Sequence, residues 1–422
     1  MKKYFVIFSL AVPALFWSCS SDTDAPKNAA EDERINAEFA QPVATTSSLD
    51  LSAAQSAAIS GYNELGWKTF EAVLNANPAE NHSLSPVSIN SALSLLASVE
   101  DESDSRAKLV NTLGFTDAAE LDDFNRQLLS FLPSETNGVD LSLANSLWLA
   151  AKYTPEQELV KSVAEFYGAT LKSVDFNDVS TVAMINAWVN DYTRGLIPAI
   201  VEKIEPSTLF CITNALYFNG DWKKAFNPED SYDGKFTSAT GSVKATYMER
   251  LDELKYSQNE DFRMTSLPFK GGKIVMDLIL PDDGKDLSFA EYTSLCSTAT
   301  TDSVALTMPK FELTTDYSNL TDIMKQAGIP QFNHYMTRLG IPSYEPCYIN
   351  RFIHKMFVNV SENGAEAAAA SFIGMAMAAD PDSEQPASPY KFVSLTKPFY
   401  FVIREVEHNI LLAVGHVNDP SL

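Results

Sequence analysis

The chain is 422 residues long and carries a formal net charge of −24, an acidity that works against tracking nucleic-acid phosphates or anionic lipid headgroups. Hydrophobic residues make up 45% and aromatic residues 11%, enough for an ordinary globular protein with a sizeable core. The length allows one large domain or two to three ordinary ones.

The N-terminus opens on the basic Met1-Lys-Lys. An apolar run follows over Tyr4–Trp17, about as long as a signal-peptide core and too short to span a membrane as a mature helix. The run ends Phe16-Trp-Ser-Cys19 and is followed by Ser-Ser-Asp-Thr-Asp. A cysteine placed there resembles a bacterial lipoprotein signal, in which it is lipidated and becomes the mature N-terminus. Phe16 stands where that pattern has leucine, and Trp17 is bulky; a simple secretory signal cut nearby is the alternative. Residues 1–18 are expected to be the signal. Residues 19–51, rich in Ala, Ser, Thr, Asp, Glu and Pro, read as a disordered tether, and 52–422 as one folded domain. The expected location is outside the cytoplasm: lipid-anchored through Cys19 to a bacterial outer membrane or cell surface, otherwise secreted or periplasmic. Without Cys19 there remain Cys211, Cys296 and Cys347, an odd and widely spaced set that makes no disulfide framework and reads as buried small hydrophobes.

From Ser52 a helical period places Ile59, Tyr62, Leu65, Gly66, Phe70, Val73 and Leu74 on one face. In Leu84-Ser-Pro-Val-Ser-Ile89, Ser85 can cap a second helix and Pro86 suits its first turn. Leu141–Leu149 alternates like a strand, and Trp188 in Ile185-Asn-Ala-Trp-Val189 reads as a core anchor. Thr213–Trp222 holds a strand over Leu209–Phe218 and a turn signal at Asn219-Gly220. Leu267–Pro281 reads as two strands around Gly271-Gly272, and Ile353–Val360 as a strand.

That strand runs into Ser361-Glu-Asn-Gly-Ala-Glu-Ala-Ala-Ala-Ala-Ser371. Alanine propensity alone makes this a helix. Its alternation makes it a strand: Ala365, Ala367, Ala369, Ser371, Ile373 and Met375 are small or apolar, while the interleaved set carries Glu366. No proline blocks a hydrogen-bond ladder there, and a segment legible both ways suits a switch between two folded states.

Glu362–Ser371 closely resembles the hinge of the reactive-centre loop in serpins, Glu-x-Gly-Thr-Glu-Ala-Ala-Ala-Ala-Thr or near it. The segments at Leu84–Ile89, Leu141–Leu149, Ile185–Ile197, Thr213–Trp222, Met308–Phe311, Tyr317–Leu320 and the closing Lys397–Ile403 and Ile410–Val417 also resemble that family, in its order, from about Gly61 to Pro420. The resemblance implies an α+β serpin fold: three β-sheets and eight or nine helices in one interwoven domain, with an exposed loop. It implies a monomer that is not an enzyme and needs no cofactor or metal. Its partner would be a serine protease held as a covalent acyl complex. Nucleic acid would not be a partner, and a membrane would be one only through the N-terminal lipid.

Residue by residue, the resemblance places Ser85, Pro86, Ser88, Asn214 and His354 in a "shutter" beneath the central sheet, with His354 hydrogen-bonded to Asn214 and the Ser85 region. It places Trp222 and Lys310 in the "breach", where Glu362 would pair with Lys310. Gly364 would allow the backbone to turn. Ala365 would enter the sheet first, Glu366 would face solvent, and Ala367, Ala368, Ala369, Ala370 and Ser371 would complete the hinge. Counting on from Gly364 places the cleaved bond between Ala378 and Ala379, with Met375 and Met377 as alternatives, because Asp380–Pro389 makes the following segment longer than usual. No Lys or Arg lies between Lys355 and Lys391, so small apolar residues at the bond point to an elastase-like target. A non-inhibitory serpin acting as a binding or carrier protein is the alternative. A hydrolase would need a catalytic constellation. Around His82, His334, His354, His408 and His416 there is no His-Glu-x-x-His, and the chain holds no Gly-x-Ser-x-Gly, Walker loop or Cys-x-x-Cys.

Overall fold

The computed structural model describes residues 45–101, 104–330, 334–345, 347–349, 351–362 and 390–421. Cys19 and the tether up to residue 44 lie outside them, as do the hinge from Asn363 onward and the bond at Ala378–Ala379.

Helix α1 (Ala53–Ala76) starts on a capping box in which Ser52 and Gln55 satisfy each other's backbone N–H. Its predicted face is buried. After the short strand β1 (His82–Leu84), Ser85 caps α2 (Pro86–Val99), its Oγ accepting from Ser88 N–H at 3.2 Å. Helix α2 is buried along its whole length, so its polar side chains must find partners inside the protein. Ser94 donates to the carbonyl of Asn90 (2.7 Å), Ser98 to that of Leu95 (2.8 Å), and the Asn90 amide to that of Tyr62 (2.7 Å). Gly66 lets α1 approach α2 closely: a Cβ there would lie 2.4 Å from Cβ of Pro86.

The chain continues through α3 (Asp104–Thr112), α4 (Ala118–Phe131), β2 (Val139–Ala150), α5 (Gln157–Tyr167), β3 (Thr170–Val174), α6 (Val179–Tyr192) and β4 (Phe210–Gly220). Strands β5 (Tyr232–Ser238), β6 (Gly241–Gln258), β7 (Phe262–Pro268) and β8 (Ile274–Pro281) follow, then α7 (Phe289–Thr298) and β9 (Thr300–Pro309). The last elements are β10 (Phe311–Tyr317), α8 (Thr321–Gln326), β11 (His354–Val360), β12 (Lys391–Ser394), β13 (Phe399–Glu405) and β14 (Leu411–Val417). Among the described residues this gives eight α-helices and three sheets, as expected.

The strands are shared out unevenly. One nine-stranded sheet runs β1-β14-β13-β8-β7-β6-β9-β12 with β5 on β6. The long β6 joins its two halves, pairing with β5 and β9 near its start and with β7 near its end. The other five strands form two blocks, β3-β2-β4 and β11-β10, with no ladder joining β4 to β11 among the described residues.

Two local expectations change. Asn219 and Gly220 do not turn but close β4, opposite Asp140 and Val139, because β2 extends far enough to pair with them. Cys211 and Cys296 are only partly buried, whereas Cys347 is buried; all three are free thiols. No helix among the described residues is long and apolar enough to cross a membrane.

Candidate functional site

The two blocks face each other across a cleft. A cavity of about 510 Å³ lies between Leu216–Gly220 of β4 and Met356–Val360 of β11. Its remaining lining comes from Met276 of β8, Ile403 of β13, and Leu412 and Ala413 of β14, with Trp222 and Phe269 at one end. Strand β4 pairs with β2 on one edge and β11 with β10 on one edge. The edges turned toward the cleft therefore offer N–H and C=O groups that a further strand could pair.

Both strands run the same way past this cleft. At their starts, each meets the N-terminal turn of α2: Ser88 Oγ donates to Asn214 Oδ1, and the Ser85 backbone N–H donates to His354 Nε2 at 3.1 Å. Beyond their ends, Trp222 Nε1 donates to the carbonyl of Ser361 at 2.9 Å. The chain leaving β11 at Ser361 would have to reverse to enter the cleft, and would then lie antiparallel to both neighbours.

At the first end, Ser85 Oγ also donates to the carbonyl of Leu412 (2.7 Å), which holds the helix cap on β14. Pro86 fills the first turn of α2. His354 is buried, and burial pushes its imidazole down to about 4, so it stays neutral and can accept from Ser85. The expected bond from His354 to Asn214 is not the one formed. Asn214 sits on the opposite side of the cleft and turns into its own block, its Nδ2 donating to Asn145 Oδ1 at 2.8 Å. Asn145 in turn donates to Ser91 Oγ (3.2 Å) and to the carbonyl of Tyr167 (2.9 Å).

Asn145 carried no role in the sequence reading, although a signal was present. It is the one polar residue in the inward phase Leu141, Leu143, Asn145, Leu147, Leu149, and it lies opposite Asn214 in register. Ser83 and Thr315 form a second polar link beside it, Thr315 Oγ1 donating to the Ser83 carbonyl at 2.9 Å.

At the other end, the Trp222 ring stacks on Phe269 with centroids 4.6 Å apart. Lys310 Nζ lies 2.9 Å from Glu362 Oε1, and Ser231 Oγ donates to the same oxygen at 2.7 Å. Burial alone would raise the Glu362 carboxyl, but the hydrogen bonds from Ser231 and Lys310 outweigh it and hold the group below its usual range. The Glu362 side chain is 13% exposed and that of Lys310 36%, so the ion pair contributes on the order of 1 kcal/mol after solvent screening. Ser231 was not singled out from sequence, and nothing local marks it.

The comparisons with known proteins agree with this architecture. The family model described as "Serpin (serine protease inhibitor)" matches residues 60–420. An uncharacterized serpin-like protein of Thermococcus kodakarensis is 31% identical over 346 residues, covering 80% of this chain and 80% of that protein. The leukocyte elastase inhibitor of Homo sapiens is 28% identical over 372 residues, covering 83% of this chain and 96% of that protein. In fold, the chain is similar to the crystal structure of the thermophilic serpin tengpin in the native state. The TM-score is 0.76 at 23% identity, over 91% of this chain and 98% of that one.

Proposed function

The chain belongs to the serpin family of protease inhibitors, and on that premise we propose that it is a suicide-type inhibitor of serine endopeptidases with small, apolar specificity pockets. The observation that carries this reading is the cleft between β4 and β11, entered at the point where β11 leads into the alanine-rich hinge.

The chemistry belongs to the attacking protease. Its serine oxygen adds to the carbonyl of Ala378, and the bond to the nitrogen of Ala379 breaks. The new amine leaves, and Ala378 stays joined to the protease as an ester. The freed segment then folds back at Gly364 and enters the cleft antiparallel to β4 and β11. Ala365, Ala367, Ala369 and Ser371 are small enough to face the apolar floor, and Glu366 stays on the solvent side. Each new backbone hydrogen bond adds about 0.5–1.5 kcal/mol net, and both cleft edges are filled at once. The protease is carried along and distorted before water can cleave the ester.

The elastase-like preference rests on the small apolar residues around Ala378 and on the likeness to an elastase inhibitor. We place the protein outside the cytoplasm, held to the membrane by a lipid on Cys19; the signal-like N-terminus supports this part alone. The test of the function is a denaturing gel of the full chain mixed with an elastase-like serine protease. An adduct that survives heat and detergent, with a released peptide beginning at or near Ala379, supports inhibition. Clean cleavage by such enzymes without an adduct counts against it.

A further inference from the structure

The cleft is crossed by a strap of chain. After α6 the backbone passes through Thr193 and Arg194 before running on to β4, and Leu196 lines the cavity between β4 and β11. A strand filling the cleft meets this side chain, so the strap has to yield.

The strap is tied to both blocks. Near its start, the Arg194 guanidinium donates to both oxygens of Asp140 on β2, one of these bonds measuring 2.8 Å. It also lies 4.5 Å from the ring centroid of Tyr217 on β4. Arg194 makes these contacts with φ at +52°, a left-handed conformation that a side chain disfavours, and Gly195 follows at +87°. The turn is thus held in a shape it would not choose by itself. Near the strap's other end, the carbonyl of Lys203 accepts from Arg351 at 2.9 Å, and Arg351 also donates to the carbonyl of Ser318 at 3.0 Å. Ser318 follows β10 and Arg351 precedes β11, so this end belongs to the opposite block. In between, Asn186 of α6 holds the strap to that helix, its Oδ1 accepting from Ile200 N–H and its Nδ2 donating to the Val201 carbonyl.

We infer that residues 193–203 form a latch across the cleft, with Arg194 and Arg351 as positioning residues at its two ends that set how fast a strand can enter. This inference rests on the insertion step proposed above. The two anchors act in series: releasing either end lets the strap lift with α6. The Arg194–Asp140 pair is roughly half exposed on both sides, so each anchor slows entry modestly.

The test uses the full chain and a fluorescently labelled synthetic peptide with the sequence of residues 362–375. Incorporation is followed by anisotropy. Arg194→Ala and Arg351→Ala are each expected to take up peptide about two- to fivefold faster than the parent, the range that loss of one exposed polar anchor allows. The double variant should be no faster than the faster single variant, because effects on one element do not add. Arg194→Lys, which keeps the charge opposite Asp140 without the two-pronged contact, should fall in between. Should Arg194→Ala misfold, Asp140→Asn removes the same pair from the other side. Urea midpoints of all variants should stay near that of the parent.

Parental uptake rates in both single variants, or single effects that multiply in the double variant, would overturn the latch. A parent chain that takes up peptide but forms no protease adduct would sink the inhibitory reading and leave the latch standing. A parent that does neither would remove both.

Discussion

The backbone N–H of Ser85 donates to Nε2 of His354 across 3.1 Å, tying the cap of α2 to the first residue of β11. The bond needs a neutral imidazole. Burial pushes His354 down to about 4; burial, with His82 nearby, pushes His416 on β14 down to about 4 as well. In the unfolded chain both would titrate near about 6.5. Below that value the unfolded state takes up protons that the native state refuses, so stability falls as the pH drops from about 6.5 to about 4. Above about 6.5 this contribution is fully present and flat. Each histidine can add up to about 1.4 kcal/mol per pH unit in the steep part. Urea unfolding midpoints at several pH values should show this loss, with a shallower slope for His354→Gln. Equal slopes in parent and variant would refute the assignment.

Asp277 on β8 is fully buried and receives Arg404 Nε (2.6 Å), Tyr292 OH (2.8 Å) and Ser266 Oγ (2.5 Å). Removing one partner of such a pair strands the other charge away from water. Asp277→Ala should therefore lose about 3–5 kcal/mol of unfolding free energy. Denaturant titration checks this, and a loss under about 1 kcal/mol would show that Arg404 finds another partner or water.

Gly66→Ala places a methyl group against Pro86, whose Cα and Cβ would lie 2.9 and 2.4 Å away. Neither helix can step aside cheaply, since α2 is buried on every side. The expected cost is about 1–3 kcal/mol, read as a lowered thermal midpoint. A variant as stable as the parent would mean that α1 shifts freely on α2.

Ala365→Arg tests the hinge. A long charged side chain at the first inserted position would have to be buried between β4 and β11 without a partner. The variant should be cut by its target protease as readily as the parent while forming little or no adduct. Undiminished adduct formation, compared on gels at equal cleavage, would count against insertion.

Cys19→Ser tests the anchor. Radiolabelled palmitate should enter the parent chain in a bacterial host and not the variant. Equal labelling, or none in either, would remove the lipid from the reading.

Much of the fold was legible because local pattern and tertiary role agree. The face from Ile59 to Leu74, the cap at Ser85 and the Gly271-Gly272 turn each follow from their own sequence, and both glycines take positive φ. The site was legible mainly through the likeness of Glu362–Ser371 to a known hinge. Which strands leave an edge open is a property of the whole sheet, so the separation of β4 from β11 could not be read from either strand. The partner of Asn214 followed from that separation and was misplaced for the same reason. Ser231 on Glu362 and Arg194 on Asp140 join residues 131 and 54 positions apart through polar side chains. Such contacts leave no periodicity behind, unlike Asn145, whose polar side chain interrupts an apolar phase.

The central claim is that the cleft between β4 and β11 receives the cut loop as a strand. The most direct measurement is the thermal unfolding of the intact chain beside that of the same chain cut once near Ala378–Ala379. If the loop inserts, the cut chain gains a completed central sheet and unfolds at a markedly higher temperature. An unchanged or lower unfolding temperature after a single cut at that bond would mean that the cleft stays empty.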